Sequence, residues 1–216
     1  MADPVPPGRF VTLEGGEGAG KSTQARRLSS WLAERGIDCL LTREPGGSPG
    51  AEDIRTLLVT GEPGRWDAVT EALLMNAARR DHVVRTIRPA LAAGRWVICD
   101  RFLDSTLAYQ GYAGGVPLAT LRALIDAAVG DTRPDLTLVL DLSPETGLAR
   151  AQGGGLGAET RFERKGAAFH AAVRDGFRAI VADDPGRCAV IDAGRSADEV
   201  AAAIAETVSG RLGVAA

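Results

Sequence analysis

The chain has 216 residues, enough for one medium domain or two small ones, and one domain is the expected arrangement. Its 45% hydrophobic and 25% charged residues match soluble globular chains and exclude disordered, collagen-like and membrane-embedded classes. Twenty-five basic against 28 acidic residues leave a net charge of −3, which argues against a nucleic-acid coat or a polybasic membrane anchor, so any anionic ligand must be met by local charge.

The start, MADPVPPGRF, lacks the basic and apolar regions of a signal peptide, and no apolar run approaches the roughly 18 residues of a spanning helix. A cytoplasmic protein without membrane or nucleic-acid partners is expected. Cys39, Cys99 and Cys188 stand in apolar runs far apart, so they read as buried thiols rather than metal ligands or a disulfide framework. Only two of the 25 basic residues are lysines, Lys21 and Lys165. A lysine kept against so strong an arginine bias is a candidate for required chemistry.

The first apolar run, RFVTLE at 9–14, predicts a buried strand and leads into Gly15, Gly16, Glu17, Gly18, Ala19, Gly20, Lys21, Ser22 and Thr23. These residues match GxxxxGK[ST] in the strand–turn–helix setting that the phosphate loop requires. The glycines let backbone N–H groups curl around phosphate oxygens, the following helix offers its positive end, Lys21 reaches the β and γ phosphates, and Ser22 is placed to ligate Mg²⁺. ATP and Mg²⁺ are therefore the expected cofactors. The loop alone leaves kinase, GTPase and motor open, but with no third lysine the chain has no NKxD base-reading sequence, so a GTPase is excluded.

Helical spacing predicts a helix over 22–35, followed by strand IDCLLT at 37–42 and a second glycine cluster, Arg43 to Gly47, on the same rim. A long helix over 66–93 has Val69, Leu73, Ala77, Val84, Ile87 and Leu91 at helical spacings, with Gly94 as its C-cap. Strand WVICD at 96–100 ends on Asp100 and Arg101, where open α/β sheets place their ligands. The carboxylate suits Mg²⁺ through water, and the guanidinium suits phosphate. Beyond it come a helix over 118–129, strand DLTLVLDL at 135–142, a helix from Glu145, a helix over 162–182, strand RCAVID at 187–192 and a last helix after Ser196. Short buried strands alternating with helices predict a doubly wound parallel sheet sandwiched by helices.

Four segments, GGEGAGKST, TREPGG, DRFLDSTLAYQG and RPDLTLVLDLSPE, resemble thymidylate kinases in that order over nearly the whole chain. The resemblance implies a homodimeric P-loop kinase that transfers the γ-phosphoryl group of MgATP to dTMP, giving dTDP and ADP for dTTP synthesis. A phosphate acceptor is already largely dianionic at neutral pH, so no general base is needed and His82 and His170 are expected to be bystanders. Catalysis then consists of positioning and charge neutralisation by Lys21, Arg101, Mg²⁺ and mobile arginines.

The resemblance also assigns Glu17 to the sugar 3′-hydroxyl or the metal network, and Arg43 and Arg55 to the acceptor phosphate beside Arg101. It puts Arg79 on the thymine carbonyl, Met75 where the family often has a stacking phenylalanine, Tyr109 against the 2′ position, and Gln110 facing the base, with Ser105 matching the same motif. Residues 150–164 resemble the family's mobile lid. Because this phosphate loop carries no basic residue before Lys21, the lid is expected to supply the catalytic arginine, Arg161 first, Arg150 second and Arg164 third. Two other readings stand beside this one: a deoxynucleoside kinase or other pyrimidine monophosphate kinase, and a regulatory P-loop ATPase.

Overall fold

A computed structural model describes residues 8–62, 64–153, 161–162 and 164–215. Five parallel strands, β1 (Phe10–Gly15), β2 (Cys39–Arg43), β3 (Trp96–Asp100), β4 (Leu136–Asp141) and β5 (Cys188–Asp192), lie in the order β2-β3-β1-β4-β5. Each predicted strand is present within two residues at either end.

Helices α1 (Lys21–Ala33) and α9 (Ala197–Leu212) cover one face of the sheet. A capping box fixes the start of α9, in which Ser196 accepts from the Glu199 amide while the Glu199 carboxylate accepts from Ser196 N–H. The opposite face carries α3 (Ala68–His82), α4 (Arg88–Ala92), α5 (Leu103–Thr106), α6 (Leu118–Val129) and α8 (Ala167–Asp183). The single helix expected over 66–93 is α3 and α4 joined through a π-helical turn, Val83–Ile87. Asp67 caps α3 by accepting from Val69 and Thr70 N–H. The helix α2 (Pro49–Val59), and α5 with its π-helical continuation Leu107–Tyr112, lack a long apolar period and were not anticipated. The helix α7 (Pro144–Gly153) packs beside the phosphate loop.

Alternation along β1 divides the core. Val11 and Leu13 pack towards α1 and α9, whereas Phe10, Thr12 and Glu14 face the other layer. There Thr12 meets Thr137 at 2.7 Å, and Arg187 makes a two-armed pair with the fully buried Asp104 at 2.7 and 2.9 Å. A polar seam therefore runs through a layer whose sequence reads as apolar. Cys99 and Cys188 are buried as expected, while Cys39 is only half-buried.

The helices leaving β1 and β3 go to opposite faces, which opens a crevice between the C-terminal ends of these neighbouring strands. The middle of the expected lid, residues 154–160, lies outside the described residues, as does Glu163.

Candidate active site

The loop from Gly15 to Gly20 hangs over this crevice. Gly18 has φ +67°, and a Cβ there would stand 1.9 Å from the Gly147 carbonyl oxygen, so no other residue fits between the loop and α7. Gly20, at φ +88°, turns the chain into α1. Lys21 folds back, donating to the carbonyls of Gly16 at 2.7 Å and Gly15 at 3.2 Å. Burial and the neighbouring Arg101 lower its pKa to about 8, against the opposing pull of Glu17 and Asp100. Ser22 Oγ donates to Asp100 Oδ2. Two hard oxygen donors on adjacent elements at the mouth of the loop fit Mg²⁺, which favours few protein oxygens and completes its shell with water and phosphate.

Arg101 is the one described non-glycine residue with positive φ, +68°. Its backbone N–H donates to Leu13 O at 2.9 Å, and its guanidinium spans Gly15 O at 3.0 Å, Ser105 Oγ at 3.3 Å and Glu17 Oε1 at 3.0 Å. Glu14, at the end of β1 and fully buried, supports this turn from below. It accepts from Phe102 N–H at 2.8 Å, Ser105 N–H at 3.1 Å and Ser105 Oγ at 2.6 Å. Burial, with the nearby Asp104, pushes the Glu14 carboxyl up to about 7 despite these bonds.

Glu17 has the opposite fate. Burial works against its ionisation, but Arg101, Lys21 and the Tyr109 hydroxyl, which donates at 2.9 Å, outweigh it and bring it down to about 2. An acid thus sits ionised beside the phosphate loop because two donors and the Lys21 charge hold it there.

From Glu17 and Arg101 a cavity of about 220 Å³ runs inward past Ser105, Arg55 and Tyr109 to Met75, Arg79, Gln110 and Phe162. Arg79 is 2% exposed; it donates to Glu44 at 2.8 Å, Asn76 and Thr106 at 3.0 Å, and Phe102 O at 2.9 Å. Those bonds leave at most one of its five N–H donors for a ligand. Arg55 lines the wall and donates to Pro45 O at 2.6 Å.

Arg43 stands apart. It pairs with Glu52 at 3.1 Å and borders a separate groove that also takes in Ser22 and Asp100.

The three arginines expected from the lid take different places. Arg161 has no exposure. It donates to Glu71 Oε1 at 2.5 Å, Leu58 O at 3.0 Å and Glu62 O at 3.3 Å, because a buried carboxylate on α3 captures it. Arg164 pairs with Glu62 in solvent. Arg150, exposed on α7, donates to Ala193 O at 3.0 Å, one turn along from the Gly147 that touches the phosphate loop. Both histidines are buried. His82 bridges Thr42 at 2.8 Å and Glu44 at 3.0 Å, and His170 is buried near Glu17.

Glu14, Glu44 and Glu71 were the residues missed. A lone acid closing an apolar strand was a readable signal for Glu14, and Glu44 lies within TREPGG. Glu71 gave none, because the apolar spacing of α3 marks the other side of that helix.

A parallel sheet whose first strand feeds a lysine-bearing phosphate loop, with an Asp-Arg turn across the crevice and a second cavity for an acceptor, defines a P-loop nucleoside monophosphate kinase. The thymidylate kinase family model matches residues 13–204. The chain belongs to that family, ATP-dependent phosphotransferases, and the regulatory-ATPase and deoxynucleoside-kinase readings give way to it. It is 56% identical over 207 residues to thymidylate kinase of Caulobacter vibrioides, covering 96% of this chain and 99% of that one. It is 52% identical over 206 residues to that of Afipia carboxidovorans, covering 95% and 90%. The crystal structure of thymidylate kinase from Ehrlichia chaffeensis superposes with a TM-score of 0.76 at 35% identity, covering 94% of this chain and 99% of that one.

Proposed function

We propose that the chain acts as one kinase domain that binds MgATP at Gly15–Thr23 and dTMP in the cavity between Arg101 and Gln110, and transfers the γ-phosphoryl group to the acceptor phosphate. The observation that carries this reading is the cavity itself, about 220 Å³ and lined both by Arg101 and Glu17 beside the phosphate loop and by Arg79, Met75 and Gln110. That lining suits a nucleotide lying with its phosphate at Arg101 and its base against Arg79, Met75 and Gln110.

The acceptor phosphate brings its own nucleophilic oxygen, so the protein's task is alignment. Arg101, tied to Gly15 O, spans the two phosphate sites, and Arg55 reaches the acceptor from the opposite wall. Lys21 leaves the loop carbonyls to meet the β and γ oxygens, which restores its full positive charge. Glu17 accepts from the sugar 3′-hydroxyl, Tyr109 crowds the 2′ position, and Arg79 donates its spare N–H to a thymine carbonyl. Ser22 and Asp100 would hold Mg²⁺, which when bound neutralises charge on the transferring phosphates. Arg150 replaces Arg161 as the leading candidate for the mobile cation, and Arg43 borders the metal side of the site.

A cytoplasmic setting, where ATP is abundant, suits this reaction. The chain works as a homodimer through the outward faces of α2 and α3, where Leu57, Val69 and Leu73 are 41%, 48% and 51% exposed.

Coupled ADP release with dTMP, dUMP, dCMP, UMP and thymidine as acceptors tests the proposal. The highest kcat/KM is expected with dTMP, and a preference for thymidine over dTMP overturns it.

A further inference from the structure

The second of the chain's two lysines is not used by the phosphate chemistry. Lys165 lies beside Glu71, with Nζ 3.4 Å from Oε1 and 3.5 Å from Oε2, and over the rings of Phe169 and Phe162 at 4.4 and 5.0 Å. Arg161 holds the same carboxylate at 2.5 Å. Glu71 is 2% exposed, and its carboxylate pairs with both cations at this depth. Its remaining bond is to the cavity wall, where Gln110 Nε2 donates to Oε2 at 3.0 Å.

An ionised carboxylate only accepts hydrogen bonds, so this contact fixes which way round the Gln110 amide sits. The NH₂ group must face Glu71. With Nε2 drawn to Glu71, Oε1 is the acceptor that Gln110 has left for the cavity it lines. Arg79, on the neighbouring wall, is a donor in every state.

We infer that Glu71, clamped by Arg161 and Lys165, is a specificity-determining positioning residue that locks Gln110 with its carbonyl towards the base and so selects pyrimidines carrying an N3–H and a 4-oxo group over 4-amino pyrimidines. The inference rests on the cavity being the base site. Thymine and uracil offer a donor at N3 and an acceptor at O4, matching an acceptor from Gln110 and a donor from Arg79. Cytosine offers a lone pair at N3 and an amino group at position 4, which inverts both contacts. A buried site with fixed polarity rejects such an inverted partner strongly, because both protein groups are left unpaired. With a neutral partner at position 71, which can itself donate or accept, the Gln110 amide is free to turn and the site accepts either pattern.

The test is kcat/KM for dTMP and for dCMP with the parent enzyme, Glu71→Gln and the exchange variant Glu71→Gln/Gln110→Glu. Glu71→Gln should reduce the preference for dTMP over dCMP at least about tenfold. The exchange variant puts a permanent acceptor at position 110 and keeps one carboxylate in the cluster, so it should return the preference to within about threefold of the parent. A folded Glu71→Gln with parental preference, or a folded exchange variant without it, overturns the inference. The parent protein gives a measurement that needs no variant: a dTMP analogue with C–H in place of N3–H should bind at least about tenfold more weakly than dTMP, and equal binding also overturns it. Failure of the base-site reading looks different, since Arg79→Ala would then leave KM for dTMP unchanged.

Discussion

Two glutamates three residues apart carry opposite burdens. Glu17 is held ionised by Arg101, Lys21 and Tyr109, while Glu14, under the same turn, is pushed up to about 7 because burial and Asp104 outweigh its donors. A carboxyl whose pKa is higher folded than unfolded stabilises the protein below its unfolded value of 4.5, and that contribution is lost as pH rises to about 7. Glu14→Gln keeps an acceptor for the Phe102 and Ser105 amides but cannot ionise. The unfolding free energy of Glu14→Gln minus that of the parent, from denaturant titrations, should therefore climb between pH 5 and pH 7 and then level off, at a ceiling of about 3 kcal/mol for the full shift. A difference that stays flat across this range would show that Glu14 is an ordinary carboxylate. At the transfer site, Lys21→Ala should lower kcat by about 10² to 10³ with little change in melting temperature, since the lysine stabilises charge at the transferring group. Arg79→Ala should raise KM for dTMP and also cost stability, because its removal strands Glu44 in the core.

The element that most changes the sequence reading is α3. Its spaced apolar residues Val69 and Leu73 point outward, and its inward face carries Glu71, Asn76, Arg79 and His82. A helix normally buries its apolar stripe. Here the inward face is a cavity wall, so polar side chains are buried where they can pair, and the apolar stripe is left for another partner. The same inversion explains Arg161, which the sequence places in a glycine-rich mobile segment and the fold ties down on Glu71. Arg161→Ala should act mainly on stability, costing about 3 to 5 kcal/mol by leaving Glu71 short of a cation, a drop in melting temperature of about 10 °C for a chain this long. Arg150→Ala should instead lower kcat at least about tenfold with a small change in melting temperature. If both variants keep kcat within about twofold of the parent, neither Arg150 nor Arg161 takes part in transfer.

For the whole molecule, the outward stripe of α3 and the neighbouring Leu57 predict self-association. Leu73→Glu, which places charge in the middle of that surface, should halve the particle mass measured by light scattering. An unchanged mass would move the dimer contact elsewhere or remove it.

The sequence by itself determined the sheet, the phosphate loop and the Asp-Arg turn, because each depends on local features. Buried strands must be apolar runs, a loop wrapping phosphate must be glycine-rich and lead into a helix, and the strand end faces the crevice in any sheet of this kind. It also carried TREPGG and DRFLDSTLAYQG, which sufficed for the family. Only the tertiary structure decided which charges meet. Glu71 with Arg161 and Lys165, Glu44 with Arg79 and His82, and Asp104 with Arg187 join positions between 35 and 94 residues apart. Such pairs leave no periodicity in the chain. A charged residue reads as exposed until the fold brings its partner to it, since burial without that partner would cost several kcal/mol.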